Sequence, residues 1–243
     1  MSCHKCLEIC DLGAIDFCSE YRIDREKCNL CGKCIEICPN EALKFAGKEY
    51  EVKTLTKLVL KDKIFYDNSG GGVTLSGGEP TLHMDYIHHL LKELKREKIH
   101  VCLETCGYYN KEKFNKLLLP YIDLIYFDLK IFESDVHKKY CGASNQIILQ
   151  NFEDLIKNKK VEILPRIPLI PKITATNENL ENLRNYLQTL KIEKIGLLPY
   201  NPLWISKTES IGVKADYSRS NWLEKEEKEV VKKIFSNFEF KDF

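Results

Sequence analysis

Four cysteines in the stretch CNLCGKCIEICP, residues 28 to 39, stand at the spacing CxxCxxCxxxCP. Thiolates are soft ligands that bind iron–sulfur clusters or zinc, and short loops at this spacing wrap three sulfurs around one iron–sulfur cube. Zinc is the alternative, and it is disfavoured because zinc sites seldom use this uninterrupted run. The spacing therefore predicts an iron–sulfur centre near the start of the chain.

A second run, CHKCLEIC at residues 3 to 10, repeats the pattern upstream. Where two such runs occur together, the fourth cysteine of each run ligates the other cluster, so the two are interpreted as a pair. The predicted ligands are Cys28, Cys31, Cys34 and Cys10 for one cluster, and Cys3, Cys6 and Cys38 for the other. The second cluster is one ligand short. Cys18 is an alternative fourth ligand, although the matching position after the second run holds Ala46.

The composition describes an ordinary globular chain of 243 residues, of which 44% are hydrophobic. A net charge of +1 gives no reason to expect nucleic acid or an anionic membrane as a partner. The sequence has neither a transmembrane run of about 18 apolar residues nor a signal peptide, so we expect a cytoplasmic protein. In that compartment eleven cysteines indicate metal binding rather than disulfides.

Apolar strand patterns alternate with helical patterns after the cysteine-rich segment. The predicted strands are 71–78, 100–107, 123–130, 161–170 and 194–201. Helical periodicity follows most of them, and the last helix carries Val230, Val231, Ile234, Phe235 and Phe238 on one face. This alternation predicts a parallel sheet wrapped by helices, either doubly wound or a barrel or partial barrel. We therefore predict a small iron–sulfur domain over residues 1–50 and an α/β domain over residues 51–243.

Five motifs in order along the chain carry a resemblance to a known family. They are VTLSGGEP (73–80), LETCGY (103–108), YFDLK (126–130), RIPLIP (166–171) and LLPYN (197–201). With the two cysteine runs, they resemble the glycyl-radical-enzyme activating proteins of the radical S-adenosylmethionine (SAM) superfamily, similar to pyruvate formate-lyase activating enzyme and carrying a two-cluster ferredoxin-like insert. The resemblance implies a partial (β/α) barrel with its site at the carboxyl ends of the strands.

The family's chemistry defines the expected cofactors and partners. The resemblance implies [4Fe-4S] clusters, with one or two in the insert and a third at the site of a full-length relative. It also implies SAM, whose reductive cleavage gives a radical that takes hydrogen from a glycine of a partner enzyme. The expected partners are that glycyl radical enzyme and an electron donor such as flavodoxin or ferredoxin.

The resemblance also assigns SAM-binding residues, namely Gly77, Gly78, Glu79, Asp128, Lys130, Arg166 and Asn201. The glycines allow close backbone approach, Glu79 offers an acceptor for the methionine ammonium group, and Lys130 and Arg166 suit carboxylates. The alternatives are a solvated turn for Glu79, a surface ion pair for Lys130 and a structural salt bridge for Arg166. Asn201 stands where many relatives have histidine. Glu104 and Thr105 match a pair near a cation or substrate position, a core-facing threonine being the alternative.

The sequence departs from the family at one essential motif, because it contains no CxxxCxxC run. In relatives this loop holds the site cluster and precedes the insert, so no catalytic residue is assigned here. We expect that the chain lacks the amino-terminal segment of a full-length relative, including the first barrel strand. Choice of the expressed fragment, a mis-set start codon and decay of the gene are the alternative causes. An in-frame CxxxCxxC codon run upstream of Met1 is the predicted finding, and an immediate upstream stop codon would count against the first two causes.

Two other classes compete with the activating-enzyme interpretation. The first is a ferredoxin-like electron carrier in which the α/β portion is only a docking scaffold, and the second is a noncatalytic partner-binding remnant. Glu79, Lys130 and Arg166 disfavour the carrier, since a scaffold does not need polar groups at its strand ends. We also expect Cys106 and Cys141 to be buried thiols.

Overall fold

The computed structural model describes residues 3–241, apart from the side chain of Glu209. The chain separates into two compact units. One unit comprises Met1–Glu49 with Asn201–Asn221, and the other comprises Tyr50–Tyr200 with Trp222–Phe243. The grouping of residues 201–221 with the amino-terminal segment has no counterpart in the sequence pattern. The ferredoxin-like character of residues 1–50 stays a prediction.

Most of the helices belong to the larger unit. In chain order the helices are α1 (Lys5–Glu8), α2 (Lys33–Glu36), α3 (Val52–Val59), α4 (Lys63–Ser69), α5 (Met84–Arg96), α6 (Lys111–Leu117), α7 (Ser134–Cys141), α8 (Gln146–Asn158), α9 (Asn177–Thr189), α10 (Trp204–Ser210) and α11 (Lys225–Ile234). Within residues 3–241, no helix is long and apolar enough to cross a membrane.

The larger unit contains a parallel sheet of five strands within the described residues. The strands are β1 (Gly72–Leu75), β2 (His100–Thr105), β3 (Leu124–Asp128), β4 (Glu162–Leu169) and β5 (Gly196–Pro199). Each strand pairs with the next one in the chain, in the order β1-β2-β3-β4-β5. A doubly wound sheet would reverse its order at a switch point, so the sequential order selects the predicted partial barrel. The predicted strands and their parallel arrangement are confirmed.

Buried apolar side chains explain why the helices pack on this sheet. In α5 the predicted face is confirmed, because Ile87, Leu90, Leu91 and Leu94 are all buried. The prediction for the last helix is wrong in part, since Val230 is 46% exposed and α11 ends at Ile234, before Phe235 and Phe238. Val231 of the predicted face is buried, and so are the two phenylalanines that follow the helix. A five-residue stripe is wider than the surface that this short helix covers.

The register of the sheet brings polar residues of neighbouring strands side by side. Asp128 of β3 is opposite Arg166 of β4, and Glu104 of β2 is opposite Tyr126 of β3. These pairs lie towards the carboxyl ends of their strands, where active sites of parallel α/β barrels form. The register therefore places Asp128 and Arg166 side by side at one rim of the half-barrel.

Candidate functional site

The two cysteine runs of the smaller unit have the same local structure. His4 and Gly32 both adopt left-handed backbone immediately before α1 and α2. After each run a backbone N–H donates to a cysteine sulfur, from Ala14 to Cys10 Sγ and from Ala42 to Cys38 Sγ, each at 3.3 Å. Sequence positions that correspond between the runs thus have corresponding geometry, which supports interpretation of the runs as a pair.

The thiols predicted to share one cluster are electrostatic neighbours. Burial raises the pKa of the Cys34 thiol, and the nearby thiols of Cys28, Cys31 and Cys10 raise it further. An ion pair between Lys33 Nζ and Asp11 Oδ2, 2.5 Å apart, joins the helix of the second run to the end of the first. Cys10 therefore lies close to the cysteines of the other run, as cluster sharing requires.

Backbone amides around Cys38 favour its thiolate form. Hydrogen bonds from the N–H groups of Ala42 and Asn40 lower the pKa of the Cys38 thiol. Among residues 3–241, no three His, Cys, Asp or Glu side chains converge closely enough to hold a metal ion. The donors are nonetheless all of one soft kind, which suits an iron–sulfur cluster. The assignment of these cysteines as cluster ligands stays a prediction, and the chemistry of the thiol donors fits it.

Glu79 ties the loop after β1 to the loop after β2. Its Oε1 accepts hydrogen bonds from Thr81 N at 3.1 Å, Thr81 Oγ1 at 2.7 Å and Thr105 Oγ1 at 2.9 Å. Its Oε2 accepts from Cys106 N at 2.8 Å. The Cys106 side chain also forms a hydrogen bond with this carboxylate, and because Oε1 already accepts three bonds, any remaining acceptor capacity is on Oε2. Glu79 is therefore an organiser of the rim, and its proposed contact with an ammonium group would use Oε2.

This arrangement predicts how Glu79 contributes to acid stability. Burial raises its pKa, but hydrogen bonds from Cys106 and Thr81 outweigh burial and hold the pKa below the usual 4.5. A depressed pKa gives stability that is present above the unfolded pKa and lost as the pH falls below about 4.5.

Glu79→Gln should therefore lower the free energy of unfolding at pH 7 by about 1–3 kcal/mol, since Cys106 N–H loses its acceptor. The variant should lose less additional stability than the wild type between pH 6 and pH 3. Urea unfolding at several pH values measures both effects, with Glu112→Gln on the exposed first turn of α6 as the matched control. Equal pH slopes for the wild type and Glu79→Gln would exclude this role.

Arg166 is the centre of a charged network that spans three strands. Its Nη1 donates to Glu104 Oε1 at 2.8 Å, and its Nε donates to Asp128 Oδ1 at 2.9 Å. Glu104 Oε2 accepts from Ser76 Oγ at 2.6 Å, and the Arg166 guanidinium lies 4.9 Å from the centre of the Tyr126 ring. The Arg166 side chain is only 12% exposed. The structural salt bridge expected as the alternative role of Arg166 is present, and its two carboxylate partners occupy the guanidinium fork.

The two carboxylates of this network differ in acidity. For Asp128, burial outweighs the attraction of Arg166 and raises the pKa of the carboxyl group. For Glu104, burial also raises the pKa, but the hydrogen bonds from Arg166 and Ser76 outweigh it and the pKa is lowered. Asp128 is thus the carboxylate of the pair that takes up a proton more readily.

Lys130 is a half-buried cation at the rim. Its ammonium group is close enough to lower the pKa of Asp128 and of the Cys106 thiol, although burial raises both. Within residues 3–241 it has no hydrogen bond and no ion pair, so the surface ion pair considered for Lys130 is absent. A half-buried ammonium that forms no direct ion pair can bind an anionic ligand group.

The turn between β1 and α5 leaves room beside its glycines. Gly77 has a φ of 127°, in the region that side chains rarely adopt. No heavy atom lies within 4 Å of the position that a Cβ would occupy at Gly77 or at Gly78. The backbone here is accessible from the open side, which suits close approach of a ligand.

The remaining site predictions have different surroundings. Asn201 is exposed, belongs to the smaller unit and accepts a hydrogen bond from Leu203 N at 2.9 Å. Thr105 is buried and donates a hydrogen bond to Glu79, so it is the core-facing threonine considered as the alternative to a binding role. Cys106 is half-buried, whereas Cys141 is exposed. The expectation of a buried Cys141 is wrong, because it is the last residue of a helix of which only His137 is buried.

Buried asparagines form hydrogen bonds that hold the loops of the rim. They were not predicted from the sequence. Asn151 of α8 donates to Gly107 O at 2.8 Å and to Tyr109 O at 3.0 Å. Asn179 of α9 similarly holds the loops after β3 and β4. The only sequence signal was an amide residue on an otherwise apolar helix face.

A cavity of about 230 Å³ lies away from the rim, beside Lys98 and His100 near the amino end of β2, and we attribute no catalytic role to it.

The fold and the rim together define a class of protein, and comparison with known proteins identifies it. The model of the radical SAM superfamily matches residues 16–187. A solved domain of pyruvate-formate lyase-activating enzyme from Bacteroides vulgatus superimposes with a TM-score of 0.57 at 26% identity, covering 71% of this chain and 98% of that one. A radical SAM methyltransferase from Sphaerobacter thermophilus has a TM-score of 0.58 at 14% identity over 79% of this chain and 57% of that one, which shows the fold alone.

Curated relatives narrow the class further. The trans-4-hydroxy-L-proline dehydratase activating enzyme of Clostridioides difficile is 37% identical, over 98% of this chain and 80% of that relative. The 4-hydroxyphenylacetate decarboxylase activating enzyme of Clostridium scatologenes is 31% identical, over 96% of this chain and 76% of that relative. The chain belongs to the radical SAM superfamily and, within it, to the activating enzymes of glycyl radical enzymes.

Proposed function

We propose that this chain binds SAM at the rim of the half-barrel and iron–sulfur clusters at its amino-terminal cysteines. In this proposal it takes part in the activation of a glycyl radical enzyme. The single observation that best supports SAM binding is the unpaired Lys130 ammonium near the carboxyl ends of parallel strands. In this proposal Lys130 holds the methionine carboxylate of SAM. Glu79 Oε2 and the Gly77–Gly78 backbone hold its ammonium group. Asp128 and Arg166 line the same binding site. Asn201, an exposed residue of the smaller unit, stays a prediction from the family resemblance.

The cofactors supply the chemistry, and the protein's residues orient them. Together with a reduced site cluster, bound SAM would supply the radical chemistry that removes hydrogen from a glycine of the partner enzyme. No residue of this sequence is assigned to that cluster, because CxxxCxxC is absent. We propose that the seven cysteines of the two runs hold one or two clusters that relay electrons from a donor such as flavodoxin or ferredoxin. Without the CxxxCxxC motif, we expect these 243 residues to form little 5′-deoxyadenosine.

Removal of the Lys130 charge tests the SAM proposal. Lys130→Met should weaken SAM binding about tenfold, because a charge-assisted hydrogen bond contributes about 1.5–3 kcal/mol and tenfold corresponds to about 1.4 kcal/mol. Anaerobic equilibrium dialysis with radiolabelled SAM measures the affinity. Lys113→Met is the matched control, since Lys113 forms only an exposed ion pair with Asp85. A wild-type chain that does not bind SAM, or equal affinity after Lys130→Met, would refute the proposal.

A further inference from the structure

The loop that carries Lys130 is not held by the sheet. The last backbone hydrogen bond that continues the pairing of β3 with β4 runs from Leu129 N to Arg166 O, at 2.8 Å. Beyond it the chain is held by side chains of two helices. Asn145, just before α8, donates to Ile131 O and Phe132 O, and Asn179 of α9 contacts the backbone on both sides of Ile131.

Both the oxygen and the nitrogen of the Asn179 side-chain amide form hydrogen bonds, and these bonds link two loops. Its Oδ1 accepts a hydrogen bond from Phe132 N at 2.8 Å. Its Nδ2 donates to Lys130 O at 3.0 Å, in the loop after β3, and to Thr174 O at 2.8 Å, in the loop after β4. The side chain is buried, with Asn179 only 7% exposed. Lys130 is thus fixed through its backbone carbonyl, while its ammonium has no partner within the described residues.

We infer that Asn179 is a positioning residue that sets Lys130 for the SAM carboxylate by tying its backbone to the loop after β4. The inference rests on the proposed function, because it concerns the same binding site. An unpaired lysine has no ion pair to limit where its head group lies, so the anchor of its backbone determines which positions the ammonium can reach. Asp128, by contrast, is fixed by the strand register itself.

Asn179→Asp is the informative substitution, because it preserves the shape and the acceptor for Phe132 N but removes both donors. It should weaken SAM binding about tenfold. Binding of 5′-methylthioadenosine, which lacks the amino acid part of SAM, should be unchanged. Leu187→Ala, a buried position in the same helix, is the control for general destabilisation and should leave SAM affinity unchanged in the folded protein. If Asn179→Asp is unfolded by circular dichroism, Asn179→Ser replaces it with the same expected changes.

A double-mutant cycle separates positioning from an independent effect. If Asn179 acts through Lys130, the variant with both Lys130→Met and Asn179→Asp should bind SAM about tenfold more weakly than the wild type, and not a hundredfold. Multiplied losses would overturn the inference, as would equal losses for SAM and 5′-methylthioadenosine, or a loss in Leu187→Ala that matches Asn179→Asp.

The same measurements distinguish the two levels of the argument. If the wild type does not bind SAM, the proposed function fails and the inference falls with it. If the wild type binds SAM and Lys130→Met weakens binding while Asn179→Asp does not, only the inference is overturned. Weakening by both substitutions, without multiplication in the double variant, supports both levels.

Discussion

Replacing Cys10 with serine should lower the bound iron and sulfide as much as replacing Cys28, although the two cysteines are in different runs. The reason is that the pairing of the two runs assigns Cys10 to the same cluster as Cys28, Cys31 and Cys34, and a cluster that loses one of four thiolates is poorly held. We expect a loss of about four iron atoms per chain, the content of one [4Fe-4S] cluster. Anaerobic reconstitution followed by iron and sulfide analysis measures the effect.

Two substitutions provide the comparison for this result. Cys18→Ser should leave the iron content unchanged, because Cys18 matches a position that holds Ala46 after the second run. Cys3→Ser should affect only the other cluster, so that the double variant with Cys10→Ser loses more iron than either single variant. Bound zinc without sulfide, or loss of iron after Cys28→Ser but not after Cys10→Ser, would contradict the assignment.

Arg166→Met should destabilise the larger unit by about 2–4 kcal/mol. The substitution leaves Glu104 and Asp128 without their cation, and these carboxylate side chains are only 28% and 21% exposed. Breaking a buried ion pair is strongly destabilising because the remaining charge is uncompensated, and partial exposure moderates the cost here. Urea denaturation followed by far-ultraviolet circular dichroism measures the free energy of unfolding.

A charge-neutral variant shows whether uncompensated charge is the cause. Combining Arg166→Met with Glu104→Gln and Asp128→Asn should recover part of the lost stability, because no charged group then remains in the network. Lys113→Met, which breaks an exposed ion pair, should have no measurable effect. If the triple variant is less stable than Arg166→Met alone, the loss comes from packing and not from charge.

The sheet could be predicted from the sequence because each strand is a short apolar stretch followed by a helical pattern. Residues such as Glu79 and Asp128 follow or end these stretches, and the carboxyl ends of parallel strands meet at one rim, so the strand pattern was enough to bring them together. The choice between a doubly wound sheet and a half-barrel needed the strand order, which periodicity does not encode.

The hydrogen-bond partners could not be predicted, since they depend on how helices and loops pack. Arg166 is an example, because its sequence context fits a ligand-binding residue and a salt bridge equally well, and only the register with Asp128 decides. Asn179 is another, as its role arises from two loops that converge on one amide. The grouping of residues 201–221 with the amino-terminal segment likewise arises only in three dimensions.

The most direct test of the central claim is a crystal structure of the chain with SAM. The account predicts the methionine carboxylate beside Lys130 and the amino group beside Glu79 and the Gly77–Gly78 backbone, at the carboxyl ends of the strands. SAM in the cavity beside Lys98 and His100 near the amino end of β2, or a rim without SAM in a crystal grown at saturating nucleotide, would contradict it.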